Sequence, residues 1–358
     1  MHEQFLLAAL EQAKLGLGQC APNPCVGAVA VRDGAIIAQA FHKGAGTPHA
    51  ERLLLAQLPP KIPGLSIYIS LEPCNHWGKT PPCIDALIEY GVEKVFFSYS
   101  DPNPLVAQNN SSQQLRQKGV EVTYLPLKEI NEFYKSYTQW ITNGIPRITA
   151  KLAQSLDGKI GLNEPERLIL SNELCAQFTH EQRACNDIIL TTAKTIHRDN
   201  PKMNVRLNGI ETGKAIAIID SHLTLDKKAL IFSTATRCHI YHKEGAEVPC
   251  DILPHCSYHP IPFKDGLLDL KAIIKHLGAC GYHDVWVEAG GALFSSLHKQ
   301  RLVDRTYLYL VPRYLGDQAV SAYQLNGLFD RAHTVSWQVM ADNMILCMDW
   351  QEDECLPV

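Results

Sequence analysis

Short apolar runs alternate with helix-period segments along most of this chain, and the alternation lapses once, between Pro126 and Pro146. No other feature restricts the fold as strongly. Strands that return through helices stack into layered α/β sheets, and a single lapse divides the chain into two such stretches. Its 358 residues suffice for two separate cores. The expected boundary lies near Asn143-Gly144, giving domains of residues 1–143 and 144–358.

In the first stretch a helix pattern over Phe5–Gly16 precedes an apolar run, Cys25–Val31, and Asp33-Gly34 marks a hairpin turn into Ala35–Phe41. Pro48-His49-Ala50-Glu51 opens a helix. A strand over Ser66–Leu71 ends at Glu72-Pro73-Cys74, and Pro81-Pro82 starts a helix over Cys83–Tyr90 that Gly91 stops. A strand (Lys94–Tyr99), a helix (Ser111–Lys118) and a strand (Glu121–Tyr124) follow, then an aromatic helix-like connector carrying Phe133, Tyr134, Tyr137 and Trp140. In the second stretch, strands are expected at Arg147–Leu156, Asp187–Thr191, Ala215–Asp220, Cys238–His242, Asp284–Ala289 and Asp304–Val311. Helices are expected over Glu173–Ala184, Leu267–Leu277 and Ala292–Gln300.

Composition narrows the function. A net charge of −4 without a basic stripe argues against a general nucleic-acid binder, although a small anionic substrate needs only a few cations. Twelve cysteines in a chain of this size, with no secretory leader pattern, read as reduced thiols that mostly pack, with a few free to hold metal. No apolar run approaches the length of a membrane span. A cytoplasmic enzyme is the expectation.

Three short features converge on metal chemistry. His49 and Glu51 sit two apart at a helix start, Pro73-Cys74 follows a strand, and Cys83 follows Pro81-Pro82. One imidazole and two thiolates leave the fourth position of a tetrahedral zinc open for water, as a catalytic site requires. Glu51 is then placed to take a proton from that water and give it to a departing amine. Taken singly, each residue is more often a packed or surface side chain. Together, His-x-Glu and Pro-Cys with a later Cys form the zinc nucleobase-deaminase signature.

Eight residues, rather than two, separate Cys74 from Cys83. That insert closely resembles the bifunctional riboflavin-biosynthesis deaminase/reductase family. So do Ala21-Pro22-Asn23-Pro24-Cys25-Val26-Gly27, Phe41-His42, Gly46-Thr47-Pro48-His49-Ala50-Glu51 and Asp101-Pro102-Asn103-Pro104. The resemblance implies an α/β chain with a cytidine-deaminase-like N-terminal domain and a dihydrofolate-reductase-like C-terminal domain. It implies a substrate, 2,5-diamino-6-ribosylamino-4(3H)-pyrimidinone 5′-phosphate, deaminated at C2 and then reduced with NADPH at C1′ of the ribosyl group. Asn23, His42, His76 and Lys79 would contact the deaminase substrate. Self-association is common among such fusions, so a homo-oligomer is expected.

The second half has no Gly-x-Gly-x-x-Gly; its best local signal is Val285-Trp286-Val287-Glu288-Ala289-Gly290-Gly291, a strand running into a glycine turn. On the resemblance, Ala153, Thr195, Asp199, Ser221 and the segment Gly290, Gly291, Ala292, Leu293, Phe294, Ser295, Ser296 would line the NADPH site. Lys151, Arg183, Met203, Arg206 and Glu288 would face the substrate, Arg183 and Arg206 being suited to its phosphate. One stretch departs from the family pattern of Ser-x-Trp: here Glu166 stands for the Ser and Leu168 for the Trp. The departure keeps open a deaminase whose C-terminal domain has lost reduction. A nucleic-acid deaminase with an unrelated tail is the other rival, disfavoured by the cysteine spacing and the lack of a basic stripe.

Overall fold

The computed structural model describes residues 2–78, 81–163, 168–324 and 326–351. They fall into two compact units, Met1–Ile145 and Pro146–Val358.

The first unit is a five-stranded sheet with helices on both faces. Its strands run in the order Ala35–Phe41, Gly27–Arg32, Ser66–Ile69, Lys94–Phe97, Glu121–Tyr124; the first three pair antiparallel and the rest parallel. Successive side chains on a strand point to opposite faces. Hence Ile67, Ile69, Val95 and Phe97 pack on one side with Leu54, Ile84, Leu87 and Leu115, whereas Val29, Val31, Tyr68 and Phe96 pack on the other with Phe5, Leu6 and Leu10. The aromatic stretch expected as a connector belongs to this second core. It forms the helices Lys128–Phe133 and Lys135–Asn143. There Tyr134 is buried, its Oη 2.9 Å from the Cys25 carbonyl it donates to and 2.7 Å from Ser70 Oγ. A helix not anticipated, Pro104–Asn109, starts where the Asn103 side chain accepts from Leu105 N.

The second unit is built on a nine-stranded sheet. The order is Cys256–Ile261, Arg237–Lys243, Ala215–Ile219, Ile188–Thr192, Asp284–Glu288, Arg147–Ser155, Arg305–Val311, Asn343–Trp350, His333–Met340. The first seven are mutually parallel; the last two form an antiparallel hairpin on the edge. Parallel strands are covered on both faces, which explains continuous buried runs such as Ile188, Ile189, Leu190 and Val285, Trp286, Val287. Three strands of this sheet escaped the sequence reading for visible reasons. Cys256–Ile261 contains Pro260, which an edge strand tolerates because one side of its ladder is unpaired. The hairpin His333–Met340 and Asn343–Trp350 is an edge addition whose outer strand is largely exposed. The helix expected over Leu267–Leu277 begins later, at Leu270, where Asp269 Oδ1 accepts from Lys271 N and Ala272 N. Asp265 and Gly266, both at positive φ (52° and 79°), turn the preceding residues into a small hairpin instead.

Candidate active sites

In the first unit two helix starts meet at one point. His49 is the N-cap of the helix Ala50–Leu55, and Glu51 lies buried in its first turn. Cys83 opens the helix Cys83–Tyr90, and its backbone N–H reaches Cys74 Sγ at 3.3 Å. The amides of Cys83 and Ile84 also donate to the Cys74 carbonyl, at 3.1 and 3.2 Å, so the eight-residue insert closes on itself. His49 Nδ1 is 3.3 Å from Cys83 Sγ and 3.5 Å from Cys74 Sγ. Zinc bonds of about 2.0 Å to nitrogen and 2.3 Å to sulfur, at a tetrahedral angle, would place N and S roughly 3.5 Å apart. The three donor atoms, all within 4.8 Å of one another, therefore fit a zinc ion. The hydrogen bond from Cys83, followed by that with His49, holds the Cys74 thiol at about 4, against the effect of its burial. Burial, then the Cys74 charge, pushes the Glu51 carboxyl up.

Around this center, His42 is buried and its ring meets that of His49 edge-on, with centroids 5.2 Å apart. The Asn23 amide lies 3.1 Å from His42 Nε2, and His42 Nδ1 lies 3.3 Å from the Pro48 carbonyl. An imidazole that donates from Nδ1 and accepts at Nε2 is neutral, in line with burial drawing its pKa down. His76 is half-buried with an unpartnered Nδ1. Lys79 lies outside the described residues. Two anchors lie in segments that carry the resemblance but were given no role from the sequence. Asn75 donates to Ser111 Oγ (2.7 Å) and Val106 O (3.0 Å), holding the start of the insert. Asp101, buried, accepts from Asn103 N and Tyr137 Oη. The contacts to Ser111, Val106 and Tyr137 join segments far apart in sequence, whereas that from Asn103 N is local to its motif.

In the second unit a cleft opens at the carboxyl ends of the parallel strands, the usual ligand position in such sheets. It is lined by Lys151 and Ala153, by Thr195, Asp199 and Met203, by Ser221, and by Glu288 with Gly290, Gly291, Ala292, Leu293 and Ser296. Three expected residues stand elsewhere. Phe294 and Ser295 are buried on the far side of the helix Gly291–Lys299, Phe294 against His298 and Ser295 Oγ accepting from Gln324 N. The helical period decides this, since 292, 293 and 296 share the face that 294 and 295 do not. Arg206 is exposed, its Nη1 bonded to Asn204 Oδ1 at 2.5 Å, and is not part of the lining.

Arg183 lines the cleft but is committed within the protein. Its Nε and Nη2 donate to Glu288 at 2.6 and 2.9 Å, and Nη1 donates to the Asn204 carbonyl at 2.8 Å. This pairing differs from the phosphate role expected for Arg183, because a carboxylate already fills its fork. Burial alone would raise the Glu288 carboxyl; Arg183, then Lys151, overcome it and hold it at about 2. Burial lowers the Lys151 amine, which lies 4.7 Å above the Tyr309 ring. The two glycines of the turn have different reasons. A Cβ on Gly291 would stand 2.3 Å from the Ala322 carbonyl, so packing demands glycine there; a Cβ on Gly290 would meet nothing within 4 Å. The open space beside Gly290, at the N-terminus of a nine-residue helix and among the hydroxyls of Thr195 and Ser221, fits a dinucleotide pyrophosphate. Leu168 lines the cleft, whereas Glu166 lies outside the described residues. Arg198, His222 and Gln324 also line it and were not anticipated; no local pattern marks them.

Comparison with known proteins gives a family match in each unit. Residues 1–99 match the cytidine and deoxycytidylate deaminase zinc-binding region, and residues 146–346 match the RibD C-terminal domain. The riboflavin biosynthesis protein RibD of Haemophilus influenzae is 33% identical over 94% of this chain and 92% of its own length; that of Escherichia coli is 33% identical over 91% and 92%. Among solved structures, Acinetobacter baumannii RibD has a TM-score of 0.85 at 26% identity, covering 98% of this chain and 99% of its own. A Thermotoga maritima protein described as a diaminohydroxyphosphoribosylaminopyrimidine deaminase/5-amino-6-(5-phosphoribosylamino)uracil reductase has a TM-score of 0.85 at 29% identity, with the same coverage. The architecture is thus a cytidine-deaminase-like unit followed by a dihydrofolate-reductase-like one. With its zinc donors gathered in the first unit, a cleft at the strand ends of the second and this likeness along nearly its whole length, the chain belongs to the RibD family of bifunctional riboflavin-biosynthesis deaminase/reductases.

Proposed function

We propose that residues 1–143 deaminate 2,5-diamino-6-ribosylamino-4(3H)-pyrimidinone 5′-phosphate and that residues 144–358 reduce the product, using the residues placed above. The observation that carries the first step is the meeting of His49, Cys74 and Cys83 donor atoms beside the buried carboxyl of Glu51. A zinc ion held by those three residues supplies Lewis acidity that makes water nucleophilic at neutral pH. Glu51 accepts a proton as water adds to C2 and passes it to the adjacent ring nitrogen, then carries the remaining hydroxyl proton to the amino group, which leaves as ammonia while C2 becomes a carbonyl carbon. Its burial excludes competing solvent and favors proton uptake. Asn23 and His42 form a hydrogen-bonded pair that orients the pyrimidine edge, and His76 with Lys79 meets the polar end of the substrate.

In the second unit, NADPH supplies hydride to C1′. Gly290 and Gly291 present backbone N–H groups to its pyrophosphate, and Ala153, Thr195, Asp199 and Ser221 line its path. Lys151 donates to the ribosyl oxygen as the ring opens, while Glu288, itself held by Arg183, keeps Lys151 in place electrostatically. Both pools occur in the cytoplasm, where we place the protein; no helix among the described residues is long and apolar enough to cross a membrane. Self-association is proposed through the edge strand His333–Met340, where Val335, Trp337 and Val339 are exposed at alternating positions. Trp337→Lys would then shift the protein to a smaller species in size-exclusion chromatography, and an unchanged elution volume would refute this interface.

The deciding assay supplies the diaminopyrimidinone nucleotide with and without NADPH and follows ammonia and NADPH separately. Ammonia release in both cases, with NADPH consumed after it, is the expected result. Ammonia without NADPH oxidation would refute reduction by the second unit.

A further inference from the structure

The second unit holds a group of side chains that neither proposed reaction uses. On the strand Arg237–Lys243, Cys238 and Ile240 point into the apolar core, so His239 and Tyr241 point to the opposite face. The neighboring parallel strand Cys256–Ile261 brings His259 opposite Tyr241 in the register. His276 and Cys280, four apart and so on one helical face, close over them from the helix Leu270–Ala279 and its C-cap.

His239 Nδ1 and His259 Nε2 are 3.1 Å apart. The His259 and His276 rings lie 4.2 Å apart. Donor atoms of His239, His276 and Cys280 all lie within 4.8 Å of one another. Cys280 Sγ is 3.8 and 3.9 Å from the two His276 ring nitrogens. Two nitrogens on one tetrahedral zinc would be roughly 3.3 Å apart. Tyr282 Oη, 3.1 Å from His239 Nε2, and Tyr241 Oη, 3.0 Å from His276 Nδ1, orient two of the imidazoles as outer partners do at metal sites.

We propose that His239, His276 and Cys280 form a second metal site, for a borderline divalent cation of the zinc type, independent of the deaminase center. Two imidazoles and one thiol leave the fourth position of a tetrahedral ion to water. On loading, the Cys280 thiol releases its proton to solvent and the thiolate takes its place on the metal. Cys280 is exposed, so the site has an entry path. The cation would tie the strand Arg237–Lys243 to a helix whose first residue, Leu270, lines the reductase cleft.

The test counts metal in the full-length protein. After equilibration with zinc and removal of excess, wild type is expected to hold about two ions per chain. Cys83→Ala should retain one of them. Cys280→Ser and His276→Ala, the first at an exposed position, should weaken the retained ion by about tenfold or more against a competing chelator. With Co2+ in place of zinc, Cys280→Ser should remove one of two thiolate-to-metal absorption components. One ion in wild type, lost entirely in Cys83→Ala, would overturn the proposal and leave the deaminase reading standing. A second ion indifferent to both Cys280→Ser and His276→Ala would also overturn it, because the ion would lie elsewhere.

Discussion

At the scale of single residues, burial determines what each charged group can do. Glu51 is 3% exposed beside the zinc donors, and Glu51→Gln preserves shape while removing the proton carrier. Deamination should fall by about 10²–10⁴-fold with zinc content unchanged, as measured by ammonia release and metal analysis. Normal turnover in this variant would remove Glu51 from the mechanism. Arg183 and Glu288 show the other use of buried charge. Their side chains are 10% and 12% exposed and doubly hydrogen-bonded. Arg183→Leu leaves the Glu288 carboxylate without its main partner, a loss of about 3–5 kcal/mol of stability. Denaturant unfolding reads this directly. Full stability with a raised substrate KM would instead return Arg183 to the phosphate-binding role expected from sequence.

At the scale of elements, the turn into the helix Gly291–Lys299 separates packing from binding. Gly291→Ala places a methyl group against the Ala322 carbonyl and should cost about 1–3 kcal/mol through overpacking. Gly290→Ala enters open space, so the melting temperature should hold while KM for NADPH rises. The opposite pattern, a destabilized Gly290→Ala and a silent Gly291→Ala, would mean that the cofactor does not approach this turn. The Leu156-Asp157-Gly158 turn is likewise held by packing. Asp157 accepts from Ser155 Oγ and from the amides of Leu315 and Gly316, which ties this turn to the loop after Val311.

For the whole molecule, stability should depend on pH mainly through the second unit. Burial, then the Arg183 and Arg206 charges, lowers His180 to about 4, and burial lowers His298 to about 4 despite its bond to the Phe294 carbonyl. Both rings are neutral in the folded state. Below about pH 6.5 the unfolded chain takes up protons that the folded rings refuse until about pH 4, so stability is complete above 6.5 and declines as pH falls through that window. Glu288, held at about 2, adds a further loss between its ordinary carboxylate range and pH 2. Urea unfolding at pH 7.5 and 5.0 should give a lower midpoint at 5.0, with His298→Gln reducing the difference; equal midpoints would contradict the assignment.

Local sequence specified what depends on neighbors along the chain. Strand and helix alternation, the capping prolines and glycines, and the His-x-Glu and Pro-Cys segments all act within a few residues, and most of the expected strands and helices stand near their expected positions. The zinc donors were legible because helix starts and a closed insert present them, each a local device. Tertiary structure decided what depends on the opposite wall. It turned the aromatic connector into core by setting Tyr134 against Ser70, and it put Arg183 against Glu288, 105 positions away. It faced Phe294 and Ser295 inward, added the edge strands after Val311, and gathered the donors of His239, His276 and Cys280 from a strand and a helix. Side-chain partners across such separations are chosen by sheet order and helix rotation, and neither is encoded in any short window of residues.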